Sequence, residues 1–281
     1  MSTSDASQSK VILWAFAKPA RGPSYSAFCQ KLETFLRFTS TPYEVRETMT
    51  DKAPKGKLPY VDVQHEGKTV TIADSHFIIR YLVENGISAN PDDQAGLTAS
   101  QKSESRAFQA YMEEVLYSAM RYEKYCKDDN FATMMAEALE VTPLPFWLPW
   151  PLSSFVLGMF QRSAKNSLWA EGMGRHSEEE VKSLEKEGIQ ALEVRLSAHP
   201  YFHGEKPTTI DVTISAFLAC SLGTKANPYF TSMVISSHVL RSYCRRMTAP
   251  LFPEYEELLR EIDSADKDRS DATENHASGV E

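Results

Sequence analysis

Residues 23–37 read PSYSAFCQKLETFLR and follow, across a short loop, on the apolar run Val11 to Phe16. The pattern is a strand, a loop and a helix that opens on a small hydroxyl. Phe28, Leu32, Phe35 and Leu36 recur at helical spacing, while Gln30, Lys31, Glu33 and Arg37 fall on the opposite face. The helix is therefore expected to pack one side on a sheet. Its first turn carries Ser26 and Cys29 on one face. Unpaired backbone N–H groups and the positive end of the helix dipole favour an anion there, and a thiolate is one candidate.

Working outward, Val11 to Phe16 is short and continuously apolar, as a buried central strand should be. The breaker-rich Lys18 to Pro23 then delivers the chain to the helix. Tyr43 to Met49 alternates as a second strand, and the polar Thr50 to Lys57, with Pro54 and Gly56, leaves little room for a second helix. Tyr60 to His65 and Thr69 to Ile72 read as strands joined by a Glu66-Gly67-Lys68 hairpin. Asp74-Ser75 caps a helix with Phe77, Ile78, Tyr81 and Leu82 inward, and Gly86 ends it. The order is βαβ followed by ββα.

Beyond the Asn90-Pro-Asp-Asp93 cluster helical periods dominate, so the fold class is α/β plus all-α. Ser100 to Lys127 is a long helix with Phe108, Met112, Val115, Leu116 and Ala119 on one side. Ser177 to Glu180 and Thr208 to Asp211 are capping boxes that open two further helices, and the reading of Asp211 is structural. Helices near Ile235 to Met247 and Pro253 to Ile262 close the domain. The expected division is a disordered tail 1–9, an α/β domain 10–86, a linker 87–97, a helical domain 98–262 and a disordered acidic tail 263–281.

Of the formal net charge of −8 about half belongs to Asp263 to Glu281, so the body is only mildly acidic, which argues against nucleic acid. Four scattered cysteines without a Cys-x-x-Cys pair, and an N-terminus without a targeting pattern, fit a reducing, cytoplasmic setting. The histidines lack ligand spacing, so no metal is expected, and no phosphate-cradling glycine loop occurs. Val141 to Gln161 carries no formal charge, but Pro143, Pro145, Pro149 and Pro151 break its first half. What remains, Leu152 to Phe160, is short of the roughly 20 residues that cross a bilayer. The segment is expected inside the helical domain or along its cleft, in preference to membrane contact.

Ser26-Ala27-Phe28-Cys29 occupies the place of the Cys-x-x-Cys of thioredoxin-like folds, with serine for the first cysteine. SYSAFCQKLETFLR from Ser24, APKGKLPYV from Ala53, IADSHFIIRYL from Ile72, GMGRHSEEEV from Gly172 and YFHGEKPTTIDV from Tyr201 resemble, in that order, the glutathione S-transferase superfamily and within it the failed-axon-connections and metaxin-like branch. The resemblance implies a thioredoxin-like domain followed by a helical bundle. It implies glutathione as co-substrate, with a cis Pro59 aiming the backbone of Leu58 at its cysteinyl part. Asp74 and Ser75 would meet the γ-glutamyl carboxylate, and Lys57 or Lys55 the glycyl carboxylate.

Ser26 is the catalytic candidate, its hydroxyl donating to the glutathione sulfur, with Tyr25 and Ser24 as rivals because the loop register is open. Cys29 is either a small buried hydrophobe or the partner in a mixed disulfide. Tyr117, Met120, Arg121 and Tyr125 lie on the helix that lines the cleft in relatives, as an acceptor pocket or as a core stripe. The implied function is activation of the glutathione thiol for attack on a small apolar electrophile, in detoxification or biosynthesis, by a protein compatible with a homodimer. Two alternatives stand beside it. One is a non-catalytic metaxin-like interaction module, and the other is the same scaffold acting as an isomerase or lyase on an apolar substrate. The shortened second helix and the serine at the catalytic place depart from the better-known transferases.

Overall fold

The computed structural model describes residues 9–142 and 152–265. The N-terminal tail up to residue 8, Pro143 to Pro151, and the acidic tail from residue 266 lie outside the described residues. The chain opens with β1 (Lys10–Ala15), α1 (Ala27–Phe38), β2 (Tyr43–Glu47), β3 (Tyr60–His65), β4 (Lys68–Ala73) and α2 (Ser75–Glu84). The strands form one sheet in the order β2-β1-β3-β4, with β1 parallel to β2 and antiparallel to β3. β1 is central, and its Val11 and Leu13 are almost fully buried because both its edges are paired and α1 covers it. This is the thioredoxin-like arrangement. Where a second crossover helix would stand there is one 3-10 turn, Thr50–Lys52.

Helices follow as α3 (Pro91–Gln94), α4 (Ala99–Ala110), α5 (Tyr117–Cys126), α6 (Asp128–Val141), α7 (Leu152–Glu171), α8 (Glu178–Ala198), α9 (Thr209–Leu222), α10 (Pro228–Ser236) and α11 (His238–Leu251), with residues 256–265 helical after them. A π-helical stretch, Tyr111–Leu116, joins α4 to α5 in one run. α9 is buried along its whole length and stands at the centre of the helical domain. Its capping carboxylate Asp211 accepts from Phe202 N, Thr208 N and Thr208 Oγ1, each at 2.8 Å, and from Tyr243 Oη at 3.1 Å. Four donors repay the desolvation of one acid, which is a structural role.

The polar face of α1 departs from the sequence expectation. Leu32, Phe35 and Leu36 pack on the sheet as expected, yet Gln30, Lys31 and Glu33 are buried too, at 0%, 0% and 5% exposure. The reason is that α1 lies between the sheet and α9, so its charged face meets the helical domain and not water. Lys31 Nζ reaches Glu113 at 2.5 Å, Glu33 holds Lys18 at 2.5 Å and Arg37 at 2.9 Å, and Gln30 Oε1 accepts from Ser24 N at 2.8 Å. Such pairs add little net stability, but removing one partner strands the other; Lys31–Glu113, with Lys18 to Tyr255 Oη at 3.0 Å and Arg37 to Glu254 at 2.7 Å, ties the α/β domain to the helical one. Pro23 closes the same seam, since a Cβ on Gly223 at the end of α9 would stand 2.2 Å from its ring.

α7 also departs from expectation. Leu152, Phe155 and Met159 stay more than half exposed, while Val141, Thr142 and Phe160 of the expected cleft segment line a cavity and its residues 143–151 lie outside the described residues. No helix among the described residues is long and apolar enough to cross a membrane.

Candidate functional site

Two depressions meet at the junction of the domains. The first is a groove of about 240 Å³ whose sheet-side wall is Lys55, Lys57, Leu58, Pro59, Asp74 and Ser75. The Leu58-Pro59 bond is cis, and it presents the backbone of Leu58 at the start of β3. Asp74 holds φ +86° while its side chain accepts from His76 N at 2.9 Å, a conformation costing about 1–3 kcal/mol for a residue with a Cβ. That strain turns the chain so that Ser75 is the first residue of α2, where its N–H has no partner within the helix. Ser75 is 3% exposed, and its hydroxyl makes no hydrogen bond to the described residues. That hydroxyl is not among the fully buried, unpartnered polar atoms of the described residues, so it is open to the groove and free to bond water or a ligand.

The far wall of the groove is acidic, with Glu113 and Glu114 from the π-helical stretch and Glu171 from the end of α7. Lys57 opposite is exposed and in no ion pair with a described residue, and Lys55 lies 4.9 Å over the ring of Phe77. Glu113 and Glu171 are paired with Lys31 and Arg121, so Glu114 is the carboxylate of that wall without an ion pair to a described residue, and the cations and helix N–H groups opposite suit a ligand carboxylate.

The second depression is an apolar cavity of about 340 Å³. Phe16, Tyr25 and Ser26 line it from the β1–α1 loop, Met120 and Tyr125 from α5, Met134 and Met135 from α6, and Cys220 from α9. Tyr117 and Arg121 line both depressions, so the groove and the cavity adjoin there. Tyr117 stands edge-on to Phe28 with centroids 4.9 Å apart, and burial drives its phenol far above the ordinary range. Arg121 is fixed by Glu171 at 2.6 Å and by Ser167 at 3.3 Å.

Ser26 caps α1, its Oγ accepting from Cys29 N at 3.4 Å, and its hydroxyl also acts on the Cys29 sulfur. It faces the cavity and not the groove wall. Tyr25 lines the cavity beside it, a phenol pushed up to about 12 by burial and then by Glu137 and Glu140, so it stays protonated at neutral pH. Ser24 is 2% exposed and turned inward, its Oγ accepting from Ser26 N at 3.2 Å. Cys29 is 2% exposed, and burial pushes its thiol up to about 11 against the pull of the Ser26 hydrogen bond. The thiolate entertained for this turn is therefore absent from Cys29 at neutral pH, and burial also shields it from a mixed disulfide.

Of the residues expected from the sequence, Lys57, Leu58, Pro59, Asp74 and Ser75 come together in the groove, and Tyr25 and Ser26 in the cavity, with Tyr117 and Arg121 between. Glu113, Ser118, Lys124 and the α6 methionines join them unforeseen. Lys124 carried a signal, since it follows Tyr117 and Arg121 at helical spacing on one face. Among the described residues no cluster of three or more His, Cys, Asp or Glu could hold a metal ion.

Comparison with known proteins bears on these features. Residues 27–130 match the glutathione S-transferase N-terminal domain, and residues 186–247 the glutathione S-transferase C-terminal domain. Failed axon connections of Drosophila melanogaster is 30% identical over 90% of this chain, which spans 60% of that relative's length. Metaxin-2 of Homo sapiens is 26% identical over 79% of this chain and 80% of its own. The isoprene-epoxide–glutathione S-transferase of Rhodococcus sp. (strain AD45) is 30% identical over 71% of this chain and 82% of its own. Among solved structures, a glutathione transferase from Phanerochaete chrysosporium superposes with a TM-score of 0.56 at 14% identity, covering 85% of this chain and 96% of that one. The two matched domains, in the order and on the elements just described, make this chain a member of the glutathione S-transferase superfamily.

Proposed function

We propose that the protein binds glutathione in the groove and presents its thiol to a small apolar molecule in the adjoining cavity, as a glutathione transferase does. The observation that carries this reading is the groove-facing hydroxyl of Ser75 at the start of α2, without a hydrogen bond to the described residues, beside the cis Leu58-Pro59 bond, in a groove that opens onto a ligand-sized apolar cavity. The Ser75 hydroxyl and N–H would take the γ-glutamyl carboxylate, with the helix dipole adding less than about 1 kcal/mol. The Leu58 backbone would pair with the cysteinyl part as an added strand, and Lys57 would meet the glycyl carboxylate. Glutathione supplies the nucleophilic sulfur. The O–H of Ser26, turned from Cys29 toward the cavity, would donate to that sulfur and favour thiolate over thiol, worth about 1.5–3 kcal/mol for a charged acceptor, or one to two pKa units. A cytoplasmic location is part of the proposal, and cell fractionation tests it.

Calorimetry with reduced glutathione tests the site before any substrate is known. Binding is expected with the wild type, weakened tenfold or more in Ser75→Ala and retained in Ser26→Ala. The serine variant of the cap should lose conjugating activity toward a general electrophile such as 1-chloro-2,4-dinitrobenzene. Absence of binding at millimolar glutathione would overturn the reading.

A second reading has its own support. Failed axon connections and metaxin-2 are not named as transferases, and α7 bears an apolar ridge at Leu152, Phe155, Val156 and Met159 that the described residues leave exposed. These favour an interaction module that keeps the transferase fold without its chemistry. Failure of glutathione to bind would make it the leading reading, and crosslinking from a cysteine placed at Phe155 would then identify the contact.

A further inference from the structure

Two lysines are buried at the junction of the domains, and they are treated differently. Lys31 is paired with Glu113 inside the protein. Lys124, on α5, is 7% exposed and lines the apolar cavity, and it makes no hydrogen bond, ion pair or ring contact with any described residue.

Of the acids on its own and the neighbouring helix, Asp128, Asp129 and Glu140 are exposed and make no ion pair with it, and Glu123 and Glu137 are taken by others. Glu123 accepts from Tyr229 N at 2.7 Å and from Asn227 Nδ2 at 3.2 Å, capping α10, and Glu137 accepts from Thr224 Oγ1 at 2.5 Å and Lys225 N at 2.8 Å. Residues 143–151, between the ends of α6 and α7, contain no acid to reach it. Its charge is felt at Cys220 on another wall of the cavity, where it opposes the upward push of burial on that thiol. Its amino group, among methionine and aromatic side chains and without an ion partner among the described residues, is placed to take one from a ligand in the cavity.

We propose that the cavity is built for a monocarboxylate with an apolar body, and that Lys124 is the residue that selects it by a charge-assisted hydrogen bond. The methionine-rich walls accommodate the body, since unbranched thioethers adapt to irregular apolar shapes. Arg121 cannot serve in its place, because Glu171 and Ser167 already hold its guanidinium. The assignment rests on the proposed use of the cavity as the acceptor site, but it does not require glutathione.

The test is a pair of calorimetric titrations of the full chain at one pH and salt concentration, without glutathione, using decanoate and its neutral counterpart decanamide. The wild type is expected to bind decanoate at least tenfold more tightly than decanamide. Lys124→Met should lose that preference while still binding decanamide, which also shows that the variant is folded. Equal affinity for the two probes in the wild type, no binding of either, or a preference that survives in Lys124→Met would each overturn the proposal. If decanoate is preferred but glutathione does not bind, the transferase reading falls and this one stands. If glutathione binds and decanoate is not preferred, this one alone falls.

Discussion

The groove and the cavity share Tyr117 and Arg121, yet they are built on opposite principles. The groove is charged, its cation-bearing wall drawn from two short stretches, residues 55–59 and 74–75, held by a cis peptide and a strained Asp74. The cavity is apolar, and residues from Phe16 to Thr224 contribute to it, among them Met49, Met120, Met134 and Met135. Fixed backbone donors and paired charges recognise one ligand by position, whereas flexible methionines accept a range of shapes. The difference teaches that, on the proposed reading, the groove would hold its ligand rigidly and the cavity adaptably, and substitutions on the two sides should fail in different ways.

The largest effect should come from beneath the groove. Lys31→Met leaves Glu113, whose side chain is 13% exposed, without its partner, and breaking a buried pair from one side costs about 3–5 kcal/mol. Urea unfolding should show that loss, and a double variant, Lys31→Met with Glu113→Leu, should regain much of it. A loss below about 1 kcal/mol in the single variant would mean that the pair does not fix the groove. Next in size is Ser75→Ala, which removes a donor and leaves a bound carboxylate short of it, for about 1.5–3 kcal/mol of glutathione affinity. Calorimetry should show that loss for glutathione, with decanoate binding in the cavity unchanged. If both ligands weaken equally, the two depressions are one energetic unit and the comparison breaks.

The groove was legible in the sequence because its parts are local. A proline opening a strand, a lysine beside it and an Asp-Ser cap each announce themselves within three residues, and the resemblance supplied their roles. The cavity was legible only in part: Tyr25, Ser26, Tyr117, Met120, Arg121 and Tyr125 were candidates from the sequence, whereas Met134 and Cys220 join them only by folding. The charged face of α1 was misread for the same reason. A row such as Gln30, Lys31 and Glu33 ordinarily faces water, and the partner of Lys31 lies 82 residues away. The loop register of Ser24, Tyr25 and Ser26 depended on which hydroxyl turned inward to receive the Ser26 N–H, a fact of geometry and not of composition.

On the cavity side, Met134→Ala should cost less than a close-packed methionine would. Met134 borders open volume, so the loss is expected near 1 kcal/mol, below the ~2–5 kcal/mol of a fully enclosed site. Thermal unfolding measures it. The same variant should bind dodecanoate better relative to decanoate, with glutathione affinity unmoved. A loss of several kcal/mol would show that the cavity is rigidly packed, against its methionine lining.

The smallest expected effect separates the two depressions by pH. His76 stands in the first turn of α2 beside Ser75, its Nδ1 3.4 Å from Gln109 Nε2. Burial holds its imidazole below the ordinary value, with the charges of Arg106 and Lys31 acting in the same direction. The unfolded chain therefore takes up a proton near pH 6.5 that the folded chain declines, so the unfolded state binds more protons below that point. Stability should be full above about pH 6.5 and fall as the pH drops through and below it. His76→Gln should flatten that part of the denaturant-midpoint profile. Glutathione affinity in the wild type should follow the same window, because α2 carries Ser75, while the cavity has no histidine in its lining to titrate there. An unchanged slope in His76→Gln would assign the acid sensitivity elsewhere and leave the groove's N-terminal turn indifferent to pH.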